Sequence, residues 1–452
     1  MLDRSTGGSP RRPAQVPGAR QDGDAVHRGM TVALHPDPVL ARSREDRTMQ
    51  GMKVTPTRYD FRPAHAAMQR HVDGGFLAGF SSALLVGRDL VDVTCLGWAD
   101  KEAQIPLAVD HIFRVFSNTK LVTSCAALLL FEEGLFQLDD PIERFTPQLA
   151  NRHVLRRDAT SLDHTEPADR PITIRHLMSH SAGLTHGLFD PGALMSKAYS
   201  ERKVVDPDTT LADMINILAD LPLAYQPGTS WQYSVATDVL ARLVEVISGQ
   251  RFDAFIQARI LGPLGMADTG FVVGDRNRFV AYYAGADPVD FRKPGLTRAD
   301  DLPYPEAYLR PFPRQSGGSG LVSTLPDMVA LIRSLLPDGP MLLKPDTIEL
   351  MMRNQLPEGV WIRFAAFGEL LGKGHGVAGA LILEPSAFEH REARGELFWG
   401  GRGGTQWWIS PRTNTAGLIM AQREFVHPFS AEFKRLAYEA MATGEPRAAI
   451  VR

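Results

Sequence analysis

The chain has 452 residues and a formal net charge of -3, too near neutral to build in a broad attraction to nucleic acid or to an anionic membrane surface. Its 44% hydrophobic and 22% charged residues are ordinary for a folded soluble protein, which excludes disorder or a fibrous repeat as the account of most of the sequence. Two cysteines, Cys95 and Cys125, are too few for a disulfide framework, and no run approaches the roughly 18 consecutive apolar residues of a membrane span.

Residues 1–55 are expected to form a disordered leader. They mix Arg, Pro, Gly and Asp without the apolar core of a secretory signal, which points to a cytoplasmic protein. Met30, Met49 and Met52 leave two origins open, an over-long start and a true extension. Residues 60–74 then carry apolar side chains at helical spacing, and two β-rich runs, 83–86 and 91–96, flank the turn Gly87-Arg88-Asp89, so a helix followed by a hairpin is expected. Residues 120–133 have the length and composition of a helix, with Gly134 as its stop.

The stretch 172–264 reads mainly as helices broken at Gly183, Pro191, Pro207, Pro227-Gly228 and Gly249. Residues 282–319 are rich in Pro, Asp, Arg and Gly with little periodicity, the pattern of a long ordered excursion or lid beside a pocket. Short strands are expected at 377–383, 396–399, 406–409 and 416–420, followed by an amphipathic helix at 430–441. Strands near both ends and helices over about 140–265 predict one α/β domain across 56–445, its sheet closed by the two chain ends with the helical part beside it.

Three segments carry candidate chemistry. In Phe116-Ser117-Asn118-Thr119-Lys120 a hydroxyl and an amine stand three residues apart, on one face of a helical turn. A serine hydroxyl is a weak nucleophile until a base takes its proton, and a desolvated lysine can act as that base or polarise the hydroxyl. Alone, this spacing recurs by chance. A second segment, Gln226-Pro227-Gly228-Thr229-Ser230-Trp231-Gln232-Tyr233-Ser234-Val235, runs into an apolar helix with Tyr233 at the junction, where a phenol beside an ammonium can relay protons. The third, Trp399-Gly400-Gly401-Arg402-Gly403-Gly404, places glycines where a substrate can lie against the backbone; the bland alternative is a turn between strands.

In this order the three segments resemble the penicillin-recognising serine hydrolases: class C β-lactamases, D-alanyl-D-alanine carboxypeptidases and, most closely, family VIII carboxylesterases. Two further stretches fit, His176-Leu177-Met178-Ser179-His180-Ser181-Ala182-Gly183-Leu184 and Gly317-Gly318-Ser319-Gly320-Leu321-Val322-Ser323-Thr324. The resemblance implies a β-lactamase/transpeptidase-like fold, an antiparallel sheet flanked by helices with a helical subdomain. It also implies an acyl-enzyme on Ser117, activated by Lys120, with Tyr233 as general base and then proton donor. Backbone N–H groups of Ser117 and Arg402 would form the oxyanion hole, and Trp399, Gly400 and Gly401 would line the substrate. His176 and His180 stand at a zinc-like spacing, but no Glu follows His176 in the metalloprotease pattern, so they are expected to be structural, with no metal and no cofactor.

Two departures bear on substrate. Penicillin-active members carry Lys-Thr-Gly or His-x-Gly at the third motif, whose cation binds a carboxylate, whereas this chain has Trp399-Gly400-Gly401. Its second motif, Tyr233-Ser234-Val235, lacks the Asn of Tyr-x-Asn. The expected activity is therefore hydrolysis of small uncharged carboxylic esters. A β-lactamase or D-amino-acid peptidase, an acyltransferase, and a non-catalytic binding protein on the same fold are the alternatives.

Overall fold

The computed structural model describes residues 52–187, 193–287, 290, 293–364, 368–424 and 428–444. Apart from its last four residues, the expected leader lies outside the described residues. The main sheet has eight strands: β1 (Gly79–Val86), β2 (Asp89–Asp100), β3 (Ile105–Pro106), β4 (Lys373–His375), β5 (Ala380–Ile382), β6 (Leu397–Gly400), β7 (Gln406–Ser410) and β8 (Thr415–Ala421). Five helices matter below: α1 (Arg62–Asp73), α2 (Thr119–Glu132), α3 (Ala236–Ser248), α4 (Leu325–Arg333) and α5 (Phe429–Gly444).

Strand order is β4-β5-β6-β7-β8-β1-β2-β3, and every neighbouring pair is antiparallel. An early and a late segment of the chain meet where β1 pairs with β8, from Phe80 opposite Ala421 to Val86 opposite Thr415. Strands from the early and the late parts of the described chain thus share one sheet. Both central strands are buried on both faces, so successive side chains feed different cores. Ala83 and Leu85 of β1, with Ala416, Leu418 and Met420 of β8, join the core that contains α2 and α4. Phe80 and Leu84, with Ile419 and Ala421, join the core under α1 and α5. Adjacent Trp407 and Trp408 divide in the same way, one indole to each core.

Helix α2 is buried nearly all round, with 11 of its 14 residues inaccessible, so apolar composition rather than an amphipathic stripe marks it. It runs through the interior beside α3, which ends at Gly249 in the left-handed conformation with φ of 69°. The expected hairpin turn is tighter than predicted, because Val86 already pairs with Asp89.

Several elements escaped the sequence reading, among them the strands Ile112–Arg114 and Val322–Thr324, helix α4 and the helix Pro345–Met351. Strand β4 is only Lys373-Gly374-His375 between glycines, too short and too polar to show alternation. Within the helical part a small hairpin pairs His153–Leu155 with Thr165–Pro167. The excursion at 282–319 also opens with a short hairpin, Tyr283–Gly285 paired with Leu296–Arg298. Among the described residues no helix is long and apolar enough to cross a membrane.

Candidate active site

The strand Ile112–Arg114 pairs with Val322–Thr324 and delivers the chain into a single tight turn, Phe116–Asn118, just before α2. Phe116 holds φ of 43°, a left-handed conformation that costs a bulky residue on the order of 1–3 kcal/mol. Surrounding rings keep it there: Phe116 packs on Tyr282 at 5.5 Å and edge-on to Tyr308 at 6.2 Å. The strained turn presents Ser117, which stays partly exposed while its neighbours Phe116 and Asn118 are buried.

Lys120 lies one turn along, and Tyr233 enters from the segment leading into α3. Ser117 Oγ and Tyr233 Oη are 2.5 Å apart. Lys120 Nζ donates to Tyr233 Oη at 2.7 Å, to Ser117 Oγ at 3.3 Å and to the Gly318 carbonyl at 2.7 Å. Lys120 and Tyr233 are 7% and 6% exposed, so both are largely shielded from water while Ser117 is partly exposed. Three side chains more than 100 residues apart at their extremes form one closed hydrogen-bonded triangle.

The third segment forms the turn between β6 and β7 and abuts the serine turn. A Cβ on Gly401 would stand 2.4 Å from the Val115 carbonyl, two residues before Ser117, so only glycine permits this approach. Thr405 Oγ1 donates to the same carbonyl at 3.2 Å. Trp399, 7% exposed, lays its indole parallel to the Tyr233 ring at 5.8 Å and is stacked on His180 at 6.4 Å. Gly400 is exposed at the end of β6. The Arg402 side chain turns away to a buried carboxylate, Glu424, which also accepts from Tyr282 Oη.

Residues 65–441 match the protein family described as Beta-lactamase. The chain belongs to this family. It is 33% identical over 330 residues to the lovastatin esterase of Penicillium rubens, covering 69% of this chain and 80% of that protein. It is 29% identical over 342 residues to Esterase EstB of Burkholderia gladioli, covering 73% and 82%. The solved structure of EstCE1, a hydrolase with promiscuous acyltransferase activity, superposes with a TM-score of 0.67 at 22% identity, covering 88% of this chain and 99% of that one, a likeness of fold. At family level this makes the chain a hydrolase on the beta-lactamase fold.

The sequence reading left His176 and His180 structural and missed His186 and His375; His180, His186 and His375 lie near the triangle of this hydrolase. His176 closes a capping box with Thr173, accepting from the Thr173 N–H. His180 stacks on Tyr233 at 5.2 Å, with Nδ1 3.0 Å from Ser234 Oγ. His375, on the unforeseen β4, places Nδ1 2.7 Å from the Gly376 carbonyl and lies edge-on to His180 and Trp399. His186 packs beside Tyr233 at 6.0 Å. Burial pushes His176, His186 and His375 down to about 4, and His180 well below its ordinary value.

Unfolded imidazoles take up protons near pH 6.5 while the folded ones stay neutral, so stability is complete above that pH and falls as pH drops from 6.5 towards 4. His375, 3% exposed, contributes roughly 3 kcal/mol to this loss. Urea midpoints are expected to drop steeply between pH 7 and 4.5, and His375→Asn should flatten that slope. A midpoint independent of pH over this range would refute the buried neutral state.

Asp238 is the other group near the triangle that sequence reasoning missed. One acidic residue in the first turn of a helix reads as an ordinary favourable charge there. The available signal was its setting, Ala236-Thr237-Asp238-Val239-Leu240-Ala241, where a mostly apolar run carries one carboxylate.

Proposed function

We propose that the chain is a carboxylesterase that cleaves small uncharged esters through an acyl-enzyme on Ser117. The observation that carries this is the triangle of Ser117 Oγ, Lys120 Nζ and Tyr233 Oη, closed at 2.5–3.3 Å beside a reachable serine. In the reactive form the Lys120–Tyr233 pair is short of one proton. Ser117 passes its proton to Tyr233 as Oγ attacks the ester carbonyl, and the pair returns it to the departing alkoxide. Water then repeats the cycle on the acyl-enzyme and frees the acid.

Backbone N–H groups of Ser117 and Arg402 stabilise the oxyanion in this reading. Gly401 supports it by letting the β6–β7 turn reach the Val115 carbonyl, next to the serine turn. Substrate choice rests on position 399. Trp399 places an indole where penicillin-active relatives hold a cation, and the nearby Arg402 charge is offset by Glu424. A substrate carboxylate therefore gains no dedicated partner from these residues, which favours neutral esters. Two relatives bear the name esterase, which agrees with this reading.

The test sets p-nitrophenyl acetate, butyrate and octanoate beside nitrocefin. The esters are expected to exceed nitrocefin in kcat/KM by about tenfold or more. Nitrocefin turnover equal to the esters would replace the reading with β-lactam hydrolysis, and silence on all four would overturn hydrolysis of simple acyl compounds.

A further inference from the structure

The Lys120 ammonium has a third partner that is neither Ser117 nor Tyr233. The Gly318 carbonyl accepts from it at 2.7 Å, and Gly318 belongs to a turn fixed by a buried carboxylate on another element. Asp238, in the first turn of α3, accepts from Ser316 Oγ at 2.7 Å and from the Gly318 N–H at 3.4 Å. Its other oxygen pairs with Arg314 at 3.4 Å, and the two side chains are only 7% and 5% exposed. A Cβ on Gly318 would lie 3.0 Å from Asp238 Oδ2 and 3.5 Å from Lys120 Nζ, so carboxylate and ammonium flank the same glycine.

Withdrawing an ion pair from water is costly, and well-packed apolar residues can replace such a pair without loss of stability. The pair acquires a purpose from the third charge beside it. Without Asp238, Arg314 and Lys120 would be two cations sharing one buried region. Burial pushes the Asp238 carboxyl up, but Arg314, the Ser316 hydroxyl, Lys120 and the Gly318 N–H outweigh it and hold the group below its ordinary value. Other titratable groups facing the cluster are Tyr233 on Lys120, Tyr304 on the Arg314 side, and His180, His186 and His375, all three histidines held neutral. The Arg402 charge also acts on His186.

We propose that Asp238 is a positioning residue for Lys120. Its carboxylate holds the Gly318 carbonyl against the ammonium and offsets Arg314, so that Lys120 stays aimed at Ser117 and Tyr233. This inference rests on the proposed roles of those three residues, and the experiment separates the two levels.

Wild type, Ser117→Ala, Asp238→Asn, Arg314→Met and the Asp238→Asn/Arg314→Met double variant are compared on p-nitrophenyl butyrate across pH, each with a thermal melt. Asp238→Asn is expected to lower kcat at least about tenfold and to leave KM within about threefold. Loss of a negative charge near the proton-carrying pair should also move the acid limb of kcat/KM to lower pH, by about half a unit or more. The double variant should bring that limb back towards wild type. Should Asp238→Asn fail to fold, the same displacement is read between Arg314→Met and the double variant. An acid limb that moves in neither background, with rates following the melting temperature alone, would make Asp238 purely structural and overturn the proposal. Activity retained by Ser117→Ala would instead bring down the underlying mechanism, whatever Asp238→Asn does.

Discussion

Purified Ser117→Ala is expected to lose p-nitrophenyl ester hydrolysis by about 10⁴-fold or more, the scale seen when a serine nucleophile is removed from its cluster. The fold should survive. The serine is partly exposed, and Lys120 keeps Tyr233 Oη and the Gly318 carbonyl at 2.7 Å each, so no buried ammonium is left without partners. Circular dichroism and the thermal melt should therefore match wild type. A fluorophosphonate probe supplies an independent readout, because it should label the wild-type peptide that contains Ser117 and leave the variant unlabelled. Full activity in the variant would refute the acyl-enzyme, and activity lost together with the melt would show only that the turn is structural.

Much of this arrangement was legible in the sequence, for identifiable reasons. The central strands announce themselves as short apolar runs, Ala83-Leu84-Leu85-Val86 in β1 and Leu418-Ile419-Met420 in β8, and α2 through a longer apolar run ended by Gly134. Ser117, Lys120 and Tyr233 could be singled out because spacing and order are sequence properties. Their meeting at 2.5–3.3 Å could not, since it depends on how α2 and the start of α3 pack within one core.

Groups that act through long-range contacts were hidden for the same reason. His375 sits on a strand of three residues without alternation, and it meets His180 only because β4 forms the edge of the sheet nearest that histidine. Glu424 finds Arg402 and Tyr282 from a stretch with no motif of its own. The strain at Phe116 leaves no trace in composition, because a phenylalanine with positive φ is held by Tyr282 and Tyr308, contributed by the 282–319 excursion. That segment, read as an ordered excursion or lid, packs on Phe116 of the serine turn and supplies the Gly318 carbonyl to Lys120.

Tyr233→Phe separates chemistry from shape, because it deletes one oxygen and keeps the ring. The stacks on Trp399 at 5.8 Å and on His180 at 5.2 Å are made by the ring, so the pocket wall should persist and KM should stay within about threefold. Removal of the hydroxyl takes away the atom that stands 2.5 Å from Ser117 Oγ and 2.7 Å from Lys120 Nζ. Lys120 then faces the serine alone at 3.3 Å, a longer contact, with its ammonium still bound to the Gly318 carbonyl. The expected fall in kcat is about 10²–10⁴-fold, the usual worth of a positioned proton-transfer group. Pre-steady-state kinetics on p-nitrophenyl butyrate should show both the nitrophenol burst and the steady-state phase slowed, since the same hydroxyl takes the serine proton in acylation and the water proton in deacylation. A variant with unchanged kcat and raised KM would assign Tyr233 to the substrate wall with Trp399, and the proton would then have to travel through Lys120 alone.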